Sequence, residues 1–156
     1  MVDTNVQTPE AKARQDKFLE RDLPFAYLLV RVTMGFHMIA HGGVRLPILS
    51  QFAAATRKSF AGVHLLGLLL FPDWLVTLIC YAIPPVEFAI GVLLAVGFKT
   101  RPATIVGNLL LLVMMFGTVA KKNFATAHVM WWYVLILAAL GALNFADRYS
   151  LDRMKR

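Results

Sequence analysis

Four stretches of the chain are apolar along nearly their whole length: Pro24 to His41, Leu75 to Phe98, Pro102 to Ala120 and Ala127 to Phe145. Each is bounded by charge, glycine or proline. A helix needs about 20 consecutive, mostly apolar residues to cross the hydrocarbon core of a bilayer. The four runs have that length, and none alternates apolar with polar positions as a barrel strand would, so they predict four membrane-spanning helices. The connection from Gly42 to Pro72 is unusual because it is not polar, and its last apolar stretch is too short to span. The expected fold is therefore all-α: an integral membrane four-helix bundle, with an interfacial or re-entrant helical segment between the first and second spans.

The flanks divide the chain further. Residues 1–23 form a polar segment whose helical part is expected to lie on the membrane surface with Phe18 and Leu19 toward lipid. Residues 24–146 hold the membrane domain, and residues 147–156 form a basic tail. The N-terminal segment lacks the apolar core and small-residue cleavage signature of a signal peptide, which leaves the first span as the expected targeting element.

Composition sharpens this picture. With 156 residues the chain fits one domain, and 58% hydrophobic residues exceed what soluble domains carry. The formal net charge is +7, but the cations flank the spans instead of forming one stripe interleaved with aromatics. That placement argues against nucleic acid and for anionic lipid headgroups as partner. Lys12, Arg14, Lys17, Arg21, Lys99, Arg101, Arg148, Arg153, Lys155 and Arg156 fall on one side, and Arg45, Arg57, Lys58, Lys121 and Lys122 on the other. The heavier side is expected to be cytoplasmic, so both termini are predicted there, in a bacterial inner membrane. Cys80 is alone, which excludes an internal disulfide and dithiol chemistry, and it reads as a small core residue.

Ionisable groups at membrane depth are site candidates by default because they are costly unless paired or hydrated. Arg31 lies roughly 10 Å from the start of the first span and Glu87 roughly 16 Å from the matching end of the second, at 1.5 Å per residue. These depths predict a contact between Arg31 and Glu87, serving either as a clamp between spans or as part of an active polar site. Cys80, Pro84, Glu87 and Gly91 share one helix face, expected to look inward. Pro84 and Pro85 remove backbone donors beside Glu87. Gly35 and Gly42 lie on the side of Arg31 and permit close packing, and Asn108 is placed to hydrogen-bond across the bundle.

All four histidines, His37, His41, His64 and His128, are expected at the outer end of the molecule, near Arg45 and the group Trp131, Trp132 and Tyr133. His37 and His41 are four residues apart and so share a helix face, which suits a metal, a tetrapyrrole or a quinone carbonyl. No cysteine or carboxylate accompanies them there, so no metal site is assigned. The tryptophans read foremost as membrane anchors.

The stretch "LLVRVTMGFHMIAHGGVRL" resembles the opening signature of the DoxX/DoxD family, through Arg31, Gly35, His41, Gly42, Arg45 and Leu46. The likeness continues in order with Glu87 and Gly91, with Gly97, Thr100, Arg101 and Ala103, and with Tyr149 to Asp152, covering about residues 24–153. The basic residue after the glycines is arginine where the family more commonly has lysine. The resemblance implies a four-helix membrane subunit of a quinone-linked oxidoreductase, similar to thiosulfate:quinone oxidoreductase or a related respiratory complex. It marks Arg31, His41, Arg45, Glu87 and Arg101 as the positions of interest.

The sequence carries no binding motif for flavin, nicotinamide or iron–sulfur, so electrons would come from other subunits of a membrane redox complex. Quinone is the expected ligand, with His37, His64, Asn108 and His128 as secondary site candidates. No catalytic residue is assigned. The alternative is a non-catalytic accessory subunit of a larger electron-transfer or photosynthetic complex, in which a histidine holds chlorophyll or haem, or lipid alone is bound. A small transporter is disfavoured by the short chain without a clear inverted repeat.

Overall fold

The computed structural model describes residues 8–65, 68–69 and 72–154. Helix α1 (Pro9–Lys17) passes through a π-helical turn (Phe18–Asp22) directly into α2 (Leu23–Arg45). A 3-10 turn (Leu46–Ile48) leads to α3 (Leu49–Phe60), followed by a hairpin of β1 (His64–Leu65) and β2 (Leu68–Leu69). Helices α4 (Asp73–Val96), α5 (Thr100–Ala120) and α6 (Phe124–Ala142) complete the bundle, and a short α7 (Leu151–Met154) lies beyond it. The four predicted runs thus appear as α2, α4, α5 and α6, within a few residues of their expected ends.

The distribution of side chains is inside-out for a water-soluble protein. The largest fully buried side chain is that of Arg31, 1% exposed, whereas Phe36 is 63%, Leu109 59% and Trp132 59% exposed. A band of bare aromatic and aliphatic groups around a buried cation is stable only in an apolar solvent. The chain is a multi-pass membrane protein, with four helices among the described residues long and apolar enough to span.

Helices α2 and α4 form the tightest pair. A Cβ on Gly35 would stand 2.7 Å from the Ala95 nitrogen and 2.9 Å from the Gly91 oxygen; one on Gly42 would stand 2.6 Å from both the Phe88 nitrogen and the Pro84 oxygen. From the other side, a Cβ on Gly91 would meet the Ile39 nitrogen at 2.6 Å and the Gly35 oxygen at 2.7 Å. These obstacles are backbone atoms, which cannot rotate away, so the antiparallel pair closes only on glycine. Helix α4 runs unbroken through Pro84 and Pro85.

Around this pair, Tyr27, Met34, Met38, Ile90, Leu94, Leu111, Leu137 and Leu140 form the main core. A second cluster joins Ala53 and Phe60 of α3 to Val76 and Cys80 of α4, so Cys80 is a buried core residue.

The connection between the first two spans is helical over α3, and no re-entrant segment is present among the described residues. Helix α3 stops at Phe60, Gly62 takes φ +83, and the apolar residues beyond it turn into the hairpin, pairing His64 with Leu69 and Leu65 with Leu68. A left-handed glycine ends a helix whatever the hydropathy of the residues after it. The N-terminal helix continues through the π-helical turn into α2, with Phe18 and Leu19 exposed. Residues 1–7 of that segment, and residues 66–67 and 70–71 of the connection, lie outside the described residues.

Candidate functional site

The glycine contacts set the levels of the charged groups. Gly42 seats against the turn Pro84–Phe88, which brings Glu87 level with His41 and within reach of Arg45, one turn further along α2. Arg45 Nη1 donates to Glu87 Oε2 at 2.7 Å. The carboxylate side chain is 5% exposed and the guanidinium side chain 23%, so the pair is a half-buried, charge-assisted contact. The Arg45 guanidinium also lies 5.2 Å from the centre of the Phe52 ring of α3, within cation–π range.

A cavity of about 150 Å³ opens beside this pair, enclosed by α2, α4, α5 and α6. Its polar wall consists of His37, His41, Arg45, Glu87, Thr126 and Tyr133, and Met34, Met38, Leu111 and Met130 supply apolar wall. The rings of His37 and His41 are 4.4 Å apart, and Tyr133 packs on His37 with ring centres 4.2 Å apart. Within this small volume lie two imidazoles, a phenol, a guanidinium and a carboxylate. Such groups can donate to or accept from a carbonyl or hydroxyl and can exchange protons with it.

Tyr133 was not singled out from the sequence, where it reads as part of an interfacial aromatic group. The signal was there. Thr126, Val129, Met130 and Tyr133 recur at the spacing of one helix face and all line the cavity, whereas Trp131 and Trp132 fall off that face and are exposed.

Arg31 and Glu87 do not meet. Each is paired elsewhere. Arg31 lies level with Gly97 at the far end of α4, and its guanidinium occupies the space that a Cβ on Gly97 would need. It donates through Nη2 to the Tyr149 carbonyl at 3.1 Å, and its Nε is 3.8 Å from Asp147 Oδ1. The expected contact fails because the spans do not begin level with one another. Counted along α2, the level of Glu87 is about ten residues, or about 15 Å, from Arg31, beyond the reach of a side chain.

The Arg31 end is a latch made by residues 147–152. Asp152 accepts from the Lys99 and Thr100 backbone N–H groups at 2.8 and 2.9 Å, capping the start of α5, and its own N–H donates to the Gly97 carbonyl at 3.3 Å. Lys99 holds a left-handed φ of 48 in this turn. Partial burial alone would raise the Asp152 carboxyl pKa, but the Thr100 and Lys99 N–H groups and nearby Arg31 outweigh it and hold the carboxyl below its ordinary value. Beside the latch, Tyr27 donates to the Leu140 carbonyl at 3.0 Å and accepts from the Asn144 amide at 3.4 Å.

The remaining candidates are dispersed. Arg101 is exposed in the first turn of α5, at the latch end, ten residues from the point where α5 reaches the cavity at Leu111. Asn108 does bridge two spans: with its amide turned to satisfy both ends, it donates to the Val134 carbonyl at 3.0 Å and accepts from the Ala138 N–H at 3.1 Å. His128 is exposed on α6, edge-on to Trp132 with ring centres 6.3 Å apart, and does not line the cavity. His64 stands in β1, and its side chain lies outside the described residues. Of the four histidines expected at one end, His37 and His41 share α2 and line the cavity, while His128 lies at the same end in the first turns of α6 but on another face. Among the described residues no three His, Cys, Asp or Glu side chains form a group able to hold a metal.

Comparison with protein-family models, with curated proteins and with solved structures returns no match for this chain.

Proposed function

We propose that the chain is a membrane subunit of a quinone-linked oxidoreductase of the DoxX/DoxD type, and that the cavity between α2 and α6 receives a quinone ring. One observation carries this reading: the Arg45–Glu87 ion pair, His37, His41 and Tyr133 all border a single space of about 150 Å³. An apolar cavity of that volume accommodates a benzene-sized ring. The same volume is far too small for a tetrapyrrole, so a pigment or haem bound through His37 or His41 is disfavoured at this place. Among the described side chains, His128, exposed on α6, is the imidazole that remains for the accessory-subunit reading.

Reduction of a quinone to a quinol takes up two electrons and two protons. The electrons come from a partner subunit carrying its own redox cofactor, because this chain has no motif for one. His41 and Arg45 supply hydrogen bonds to one ring oxygen, and the positive charge of Arg45 favours the anion that forms as electrons arrive. Glu87, beside Arg45, is placed to exchange a proton with the bound ring through His41 or a water. The positive-inside balance supports a placement of both termini in the cytoplasm and the cavity toward the opposite face.

The test is titration of a short-chain benzoquinone into the full chain in mild detergent. Saturable binding is expected, weakened about tenfold in His41→Ala and in Arg45→Ala, as loss of a hydrogen bond to a charged group predicts. His41 is exposed and bears little on folding, so its variant separates binding from stability. Absence of saturable binding, or unchanged affinity in both variants, overturns the proposal. Pigment bands in the visible spectrum of the purified material would favour the accessory reading instead.

A further inference from the structure

A groove of about 330 Å³ on the outer surface between α2 and α6 is lined by Leu29, Val30, Thr33 and Ile136, and shares Met34, His37 and Tyr133 with the ring cavity. The two spaces therefore meet at the stacked pair His37 and Tyr133, whose rings are 4.2 Å apart. The groove walls are mostly aliphatic, and Leu29 and Val30 are exposed on the face that bears on hydrocarbon. The cavity lies toward the Arg45 end of α2, near one membrane surface, and the groove runs from it along α2 toward Leu29, into the depth of the span. A polar chamber near the surface, parted only by these side chains from an apolar groove leading inward, matches an amphiphile with a ring head and a single hydrocarbon tail.

We infer that the groove between α2 and α6 is the entry path and tail site for an isoprenoid quinone, with His37 and Tyr133 as the gate between lipid and ring cavity. This rests on the quinone reading of the cavity above. The ring enters sideways from the bilayer, passing between the two side chains, and the tail stays in the groove. A cavity with room for one ring cannot also take the tail, so the tail must leave toward an apolar surface, and the groove is the one that shares the His37 and Tyr133 wall with the cavity. The close glycine contacts of α2 are all with α4, and the groups tying α2 to the end of α6 and the residues after it sit at Tyr27 and Arg31, at the Leu29 end of the groove and away from His37.

Photo-crosslinking of the full chain in lipid nanodiscs with two probes tests this. One is a benzoquinone carrying an azide on the ring; the other is a geranyl benzoquinone carrying a diazirine near the end of its tail. The ring probe is expected to label residues between His37 and Arg45 or between Thr126 and Tyr133. The tail probe is expected to label Leu29, Val30, Thr33 or Ile136, with loss of that label under excess unlabelled geranyl benzoquinone. Ring labelling at the cavity with tail labelling elsewhere, on the outer faces of α4 or α5 for instance, overturns the portal and leaves the ring site standing. Groove labelling that excess quinone does not displace marks the groove as a site for ordinary lipid chains and also overturns the portal. Ring labelling away from the cavity overturns the quinone reading itself.

Discussion

At the scale of single residues, the two buried charges follow the same rule with different partners. Arg31 and Glu87 are each placed where removing the partner would strand a charge in an apolar medium, a cost of about 3 kcal/mol for a buried pair. Arg45→Met is therefore expected to destabilise the protein by about 2 kcal/mol, less than the buried limit because the guanidinium is partly exposed. The paired change Arg45→Met with Glu87→Leu is expected to return the unfolding temperature in detergent close to that of the native chain while quinone binding stays weak. Restored binding in the double variant would show that the pair is a clamp and nothing more. Asp152 yields a prediction that depends on pH. Its carboxyl titrates below its ordinary value in the folded chain, so its contribution is complete above about pH 4, the unfolded value, and fades as pH falls through the folded one. Asp152→Asn should lower the unfolding temperature at pH 7, and the gap from the native chain should shrink toward pH 3.

At the scale of elements, α2 against α4 is the contact on which the site depends, since it brings Glu87 beside Arg45. Gly42→Ala puts a methyl group 2.6 Å from backbone atoms of α4, whereas Gly43→Ala meets only the Phe88 ring at 3.7 Å, an ordinary contact. The first is expected to cost about 2 to 3 kcal/mol and to weaken quinone binding with it, and the second to leave both near native values, as thermal unfolding and titration would report. The four spans were legible from the sequence because run length alone decides whether a helix crosses a bilayer. The small residues Gly35, Gly42 and Gly91 were legible as a packing face for the same local reason. What the sequence did not yield was the vertical offset of one span against another. Residue counts from the charged ends put Arg31 near Glu87, but the glycine seats put Arg31 level with Gly97. Offsets of this kind are set by pairwise packing between helices, a long-range property that no local window contains. Gly62 was overlooked for the opposite reason: hydropathy across residues 61–72 masked a single left-handed position that ends α3.

At the scale of the whole molecule, an even number of spans requires both ends to share a side, and the excess of basic residues before α2, between α4 and α5 and after α6 favours the cytoplasm. A fluorescent protein fused at either terminus should therefore glow in a bacterial host, and alkaline phosphatase fused at either should stay inactive. Active phosphatase at both ends would invert the molecule and turn the ring cavity toward the cytoplasm. The resemblance motifs divide between the two ends in a way the sequence did not announce. His41, Arg45 and Glu87 line the cavity, with Gly42 seating α2 on α4 beside it, and Gly97, Thr100 and the run Tyr149 to Asp152 belong to the latch.

The latch also bears on the order of assembly. Arg31 is separated from its carbonyl acceptor on Tyr149 by 118 positions, and nearly the whole membrane domain is translated between them. Until residues 147–152 are made, this guanidinium lacks its protein acceptor and is expected to rely on lipid phosphates or water. A chain stopped at residue 146 is therefore expected to be degraded faster than the native chain, which a pulse-chase in a bacterial host would report.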